Sequence, residues 1–342
     1  RLATIFINIL ASFHEIWYNR PDNRGIRRTI FVCGRRPSGA KQSIMAYRFT
    51  LSTDSTCDLY HDFIEANDIK FVSLTFTVEK DGKMEDHLDN FTEYQQYVDF
   101  YNELRAGAFS RTSMLNYESH YEHFLKLAQE GAEDVVHFTI SSGLSPTKTV
   151  AAKAAAEVKK QFPKFEVYVV DPLTATVGQG ALVRIALQDR NAGKTAQETY
   201  DHVNSIRPHI QHFIVADDLN YLKRGGRLST VAAAVGGVLS IKPIISFDKE
   251  GKLFVLDKVR GTKKAISYIK AKIDKEGPDP AYQYVFIVHT DNSPCAEELA
   301  AYVREKLGIE PYVSIMGPVI GSHVGPNAFA LGYISKIERN EF

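Results

Sequence analysis

From Met45 onward, short apolar runs rich in β-branched and aromatic residues alternate with stretches whose apolar positions recur every three or four residues. The runs predict strands over 47–52, 70–78, 134–140 and 165–170. The helical periodicity falls on 58–67, 92–106, 117–130, 145–161 and 176–191. Intervals of this length suit βαβ units, hence a mostly parallel sheet flanked by helices, with polar groups gathered at the carboxyl ends of its strands. Asp54-Ser55-Thr56, Ser141-Ser142 and Asp171 fall at such ends.

The pattern changes after a helix over 195–207, which Pro208 terminates. A strand over 212–216 leads into a polar stretch and then Lys223-Arg224-Gly225-Gly226-Arg227. Strands over 241–247 and 252–257 flank Asp248-Lys249-Glu250-Gly251, a hairpin turn signal, so this part of the chain carries antiparallel pairing. Helices over 262–275 and 293–307 and strands over 284–289 and 312–316 complete a second α/β layer. The expected organisation is an N-terminal α/β domain over 45–208 and a C-terminal α/β domain with a mixed sheet over 209–342. Residues 1–44, with a basic run at 23–41, read as an extension ahead of the first domain or as a helix packed on it.

Composition narrows the function. Lysine plus arginine and aspartate plus glutamate both number 41 among 342 residues, so no overall field gathers nucleic acid or an anionic membrane and any anion site is local. The apolar stretch over 5–13 is too short to span a bilayer. Three separated cysteines, Cys33, Cys57 and Cys295, form no Cys-x-x-Cys pair, which fits a reducing, cytoplasmic compartment and no structural zinc.

Two hydroxyl-rich segments stand where strands meet helix starts: Ser110-Arg111-Thr112-Ser113 and Ser141-Ser142-Gly143-Leu144-Ser145. Each reads as ordinary N-capping. Together they also read as two helix N-termini facing one crevice, a place for a carboxylate or phosphate. His323 lies between Gly321 and Gly325-Pro326 in a constrained turn and reads either as a loop histidine or as a third donor to that crevice. Arg227, after two glycines, suits an anion or a solvated turn equally. Small residues over 232–237 suit a wall beside a ligand.

Other signatures are incomplete. Residues 34–41 have phosphate-loop glycines but a displaced lysine, and Gly178-Gln179-Gly180 lacks the third dinucleotide glycine. Gly143-Leu144-Ser145-Pro146-Thr147 ends in Thr where a nucleophile elbow needs Gly. His120 and His123 share a helix face without a further ligand and read as solvated. His289-Thr290-Asp291-Asn292 reads as a strand end and turn.

In order along the chain, Thr53-Asp54-Ser55-Thr56, Arg111-Thr112-Ser113, Ser141-Ser142-Gly143-Leu144-Ser145, Val169-Val170-Asp171, Gly225-Gly226-Arg227-Leu228-Ser229, Lys258-Val259-Arg260-Gly261 and His323-Val324-Gly325-Pro326 resemble the DegV family of bacterial fatty-acid-binding proteins. The resemblance implies a two-domain α/β fold that buries one long-chain fatty acid between its domains, with no cofactor, no metal and no catalytic machinery of its own. It implies that Thr112, Ser142 and His323 hold the carboxylate, and that Ser113, Ser141 and Arg227 lie near the head group or a partner surface. The implied partner is a separate ATP-dependent fatty acid kinase that makes acyl phosphate for phospholipid synthesis. Two positions depart from the family pattern: Met114-Leu115 replace Gln-Pro, and Pro146 replaces Gly, the latter tolerable in a first helical turn. The competing readings are an acyl-ester or acyl-phosphate hydrolase with Ser142 or Ser145 as nucleophile and His323 as base, and a lipid sensor that binds without phosphorylation.

Overall fold

Short buried runs separated by amphipathic helices produce two large sheets with one helix between them. The computed structural model describes residues 15–21, 27–33, 47–227 and 241–339. Strands β1 (Glu15–Pro21) and β2 (Arg27–Cys33) form an antiparallel ribbon ahead of the body.

The first large sheet is parallel throughout, in the order β4 (Lys70–Val72), β3 (Thr50–Asp54), β8 (Asp134–Phe138), β9 (Glu166–Val170). Alternate residues of β8 and β9 serve its two faces. Val135 and Val169 pack under α3 (Tyr117–Gln129) and α4 (Thr147–Gln161). Val136, Phe138 and Val170 face α5 (Val177–Asn191) and α6 (Ala196–Ile206). The short α1 (His61–Ala66) connects β3 to β4.

The second sheet is mixed, in the order β12 (Leu253–Arg260), β11 (Ile241–Phe247), β10 (Ile210–Val215), β15 (Phe329–Ile334), β13 (Val285–His289), β14 (Tyr312–Ile315). Only β13 and β14 pair in parallel. Helices α8 (Thr262–Lys275) and α9 (Ser293–Leu307) cover its outer face over Phe213, Ile287 and Leu331.

Helix α5 fills the space between the sheets, touching β3 on one side and β13 and β15 on the other. It is buried around its whole circumference, as a helix walled in on both sides must be. Gly178 and Gly180, half of a dinucleotide signature by sequence, serve this packing. A Cβ on Gly180 would stand 2.7 Å from the Cys57 carbonyl oxygen. Between them Gln179 donates to Asp54 Oδ1 at 2.8 Å and accepts from Thr56 Oγ1 at 2.9 Å, so the helix is keyed to the end of β3.

A third, antiparallel sheet was not expected. Its order is β6 (Lys83–Leu88), β5 (Thr75–Lys80), β7 (Phe109–Ser113), and α2 (Tyr94–Arg105) follows β6. The single strand expected over 70–78 is therefore two, because the chain leaves the parallel sheet after Val72 and starts a hairpin at Thr75. The inner face of this sheet, with Phe76, Val78, Ser110 and Thr112, packs on α10 (Pro318–Val324). Helix α7 (Asn220–Arg224) packs on α10 from the other side. No helix among the described residues is long and apolar enough to cross a membrane.

Candidate functional site

Between the two large sheets lies an elongated cavity of about 760 Å³, its mouth included. Aliphatic and aromatic side chains make most of its wall: Leu74, Ile140, Ile214, Phe247, Leu253 and Val319 are buried, and they come from both halves of the chain. An apolar wall that gathers a few polar groups is typical of sites for small apolar ligands.

Polar groups concentrate at one end. Thr112, next to last in β7, and His323, in the last turn of α10, are 211 positions apart, yet Thr112 Oγ1 and His323 Nε2 share a hydrogen bond of 2.7 Å. Burial, assisted by the neighbouring Arg227 charge, lowers the His323 pKa to about 4, so the imidazole is neutral at pH 7. A neutral imidazole carries one donor and one acceptor. Its Nδ1 is buried without a partner against Gly225, where a Cβ would stand 2.1 Å from that nitrogen. A second bridge, Ser110 Oγ to Ser322 Oγ at 2.6 Å, ties β7 to α10 just ahead of the pair, two residues before Thr112 and one before His323. Exposed Ser113, Met114 and Arg227 rim the mouth, with Ser145 beside them. Arg227 is held by two carbonyls, one across the interface and one in its own loop: Nε donates to Leu144 at 3.3 Å and Nη1 to Gly225 at 2.6 Å.

The loop after β8 owes its shape to two strand-end carboxylates. Asp54 Oδ2 accepts from the Ile140 N–H at 2.8 Å, and Asp171 Oδ1 accepts from the N–H groups of Ser142 and Leu173. Ser141 is buried and donates to the Gly251 carbonyl at 2.8 Å, fastening the loop to the turn between β11 and β12. The structure thus brings Thr112, Ser113, His323 and Arg227 to the cavity. Ser141 binds the opposite half of the molecule, and Ser142 is exposed and does not line the cavity; Ser145, three residues later, does.

A model described as uncharacterised protein, DegV family, matches residues 48–336. The chain belongs to the DegV family. A DegV domain-containing protein of Clostridium perfringens is 32% identical over 288 residues, covering 84% of this chain and 97% of the relative. Among solved structures, a DegV lipid-binding protein from Thermotoga maritima superposes with a TM-score of 0.72 at 29% identity, covering 85% of this chain and all of the other. A DegV family protein from Thermus thermophilus, described for its fatty acid binding, superposes with a TM-score of 0.70 at 27% identity, over 84% of this chain and 99% of the other.

Several details of this DegV site correct the expectations from sequence. Thr112 and Ser113 end a strand rather than cap a helix, and Asn116 caps α3 instead, accepting from the Ser119 N–H at 2.9 Å. The two helix N-termini facing one crevice are replaced by a strand end and a helix C-terminal turn. His323 stands in α10 rather than in a loop. His120 and His123 are not solvated: His120 is fully buried and His123 half-buried, both beside His137 under α3. Ser52 Oγ bonds His123 Nε2 at 2.8 Å and His137 Nδ1 at 2.9 Å, and burial holds all three imidazoles below their usual pKa. Among the described residues no group of three or more His, Cys, Asp or Glu is placed to hold a metal ion. Nor does any hydrogen bond among them join His323 to Ser142 or Ser145; Ser145 Oγ pairs with Thr147 Oγ1 at 2.7 Å. The glycine run over 34–41 and the small residues over 232–237 lie outside the described residues.

Proposed function

We propose that this protein binds a long-chain fatty acid in the cavity between its two halves, with the carboxylate against Thr112 and His323 and the acyl chain along Ile214, Phe247 and Leu253. The observation that carries this reading is an apolar cavity that ends on one neutral hydroxyl–imidazole pair. Burying an acyl chain yields about 0.8 kcal/mol per methylene, so a sixteen-carbon chain supplies on the order of 10 kcal/mol before ordering costs. The head group then needs only neutral donors. With His323 Nε2–H donating to Thr112 Oγ1, the threonine hydroxyl is free to donate to the carboxylate, and the incoming anion raises the imidazole's proton affinity, strengthening the pair. Ser145 is placed to add a second donor. The fatty acid binding described for the relative from Thermus thermophilus supports the same reading.

The finer proposal is that the bound acid is presented to a separate ATP-dependent kinase. The half-buried Thr112–His323 pair sits just inside the mouth, so a carboxylate oxygen is within reach of a partner docked against exposed Ser113, Met114 and Arg227. In that step the oxygen attacks the γ-phosphorus of ATP, the bond to the ADP oxygen breaks, and acyl phosphate and ADP result. In this reading the protein is a carrier without catalysis of its own, working in the cytoplasm.

Mass spectrometry of lipid extracted from natively purified protein tests the binding. A stoichiometric long-chain acid is the expected result, and protein free of acid that also takes up none when it is added removes the reading. Thr112→Val and His323→Ala are each expected to weaken binding about tenfold, as loss of one charge-assisted hydrogen bond implies. Acyl phosphate, trapped with hydroxylamine, should form from ATP only when kinase is added; formation or turnover by the isolated protein would assign it catalysis instead.

A further inference from the structure

Helix α10 carries four residues of the cavity wall, Val319, Ile320, His323 and Val324, and its first turn is held by two buried acids rather than by a capping hydroxyl. Gly317 donates its N–H to Asp58 Oδ1 at 2.8 Å, and the N–H of Val319 is directed at Asp89. The two carboxyl groups flank a single point: a Cβ on Gly317 would stand 3.0 Å from an Asp58 oxygen and 2.9 Å from an Asp89 oxygen. The second oxygen of each is buried and has no partner. Both acids line a second, smaller cavity of about 310 Å³, mouth included, together with Ser55, Asn90 and Tyr97.

We propose that the Asp58–Asp89 pair carries one proton in the binding-competent fold and that the two act as positioning residues, holding the start of α10 so that its residues meet the ligand, and that losing the proton loosens the helix and weakens binding. This rests on the fatty-acid reading of the main cavity.

Among the described residues, the titratable neighbours of the pair are an acid, phenols and one histidine. Asp54 acts on it from the end of β3, Tyr97 and Tyr101 face it from α2, Tyr60 and His61 lie at the start of α1, and Tyr312 stands on β14. No lysine or arginine is among the charges that act on either acid. Burial first, then repulsion between the two, holds Asp58 well above the usual carboxylate range; burial, with Asp54, pushes Asp89 up to about 7. Raised values mean that the folded geometry favours the neutral form. The stability this contributes is complete below the ordinary aspartate pKa and is lost as pH rises through about 7. Two adjacent anions at one helix start then repel, with the smaller cavity as the path by which one can swing outward.

The test measures binding of parinaric acid, a fluorescent long-chain fatty acid, by the full chain at pH 6 and pH 8, with amide-exchange protection of α10 measured on ligand-free protein. If only the protonated pair is binding-competent and titrates near 7, wild-type affinity falls about tenfold between the two. Asp89→Asn keeps the hydrogen bonds without the charge and should hold its pH 6 affinity at pH 8, whereas Asp89→Ala binds weakly at both. Comparison of wild type with Asp89→Asn cancels the ionisation of the acid itself, and His323, with a pKa near 4, does not titrate in this range. A wild-type to Asp89→Asn ratio that stays constant with pH overturns the inference and leaves the fatty-acid reading intact. Absence of binding by both at both pH values overturns that reading, and α10 protection then decides: a fall from pH 6 to pH 8 in wild type supports the singly protonated pair, and constant protection refutes it. Should Asp89→Asn not fold, Asp58→Asn replaces it under the same criteria.

Discussion

Gly143→Ala is expected to weaken the docking of the two halves by about 2–3 kcal/mol, the range for forcing an extra carbon into a packed interface. A Cβ on Gly143 would stand 2.4 Å from the Gly251 carbonyl carbon and 2.7 Å from the Glu250 carbonyl oxygen. Both contacts are backbone, so no side chain can rotate away. The opposing residue is equally constrained: Gly251 has a φ of +74°, and a Cβ there would lie 2.1 Å from Ser141 Oγ, the atom that donates to its own carbonyl. The loop after β8 and the turn between β11 and β12 therefore meet through two glycines, one from each half. Thermal unfolding should show a midpoint about 3–5 °C lower in Gly143→Ala. Ser142→Ala, one residue earlier but exposed, should stay within about 0.5 kcal/mol of the parent. Equal midpoints for Gly143→Ala and the parent would show that the contact contributes nothing to stability.

That contact also shows what the hydroxyl-rich loop does besides any ligand binding. From sequence, Ser141 and Ser142 are indistinguishable, since both follow the same apolar run. In the fold the loop after β8 turns Ser141 inward onto Gly251 and leaves Ser142 outside. Only knowledge of which residues lie across the interface separates them.

The alternation of strands and helices in the parallel sheet was legible because its outer helices, α3 and α4, each have one apolar stripe and each strand is bounded by turn residues. The antiparallel sheet escaped for a different reason. Its hairpin turns on Asp81-Gly82, both with positive φ, the dipeptide that a two-residue turn favours. That signal is present in the sequence, but the flanking β6 is exposed along its whole length, so it has no apolar face to mark it as a strand. Strand β15 was missed for the opposite cause. It lies in the middle of the mixed sheet, buried on both faces, and reads as a continuous apolar run with no period to distinguish strand from helix.

Glycines misled the reading of α10. Gly321 and Gly325 suggested a turn around His323, yet Gly321 is helical, and a Cβ on it would stand 2.4 Å from the Tyr101 hydroxyl oxygen. The glycine serves close packing against α2, and Pro318 at the first turn is compatible with a helix start. The histidines under α3 were misjudged by the same limitation. Ser52 and His137, which meet them, come from neighbouring strands of the parallel sheet, so nothing local in the sequence announces that these rings are turned inward.

Gly225→Ala is expected to reduce fatty acid affinity about 10- to 100-fold while leaving stability nearly unchanged. Gly225 ends α7 with a φ of −72°, a backbone that alanine adopts without strain. The added carbon would nevertheless fall 2.1 Å from His323 Nδ1 and 2.9 Å from its Cε1. The imidazole must rotate, and its hydrogen bond with Thr112 is lost with the rotation. The pair's donor then misses the carboxylate, and a charge-assisted bond is worth about 1.5–3 kcal/mol. Because the acyl chain contributes the larger share of binding, residual affinity should remain, and it should fall with each methylene removed from the probe as steeply as in the parent. Isothermal titration with acids of different chain length distinguishes the outcomes: a uniform loss across lengths places the imidazole at the head group, whereas a loss confined to long chains would move His323 to the far end of the cavity and overturn the orientation proposed for the ligand.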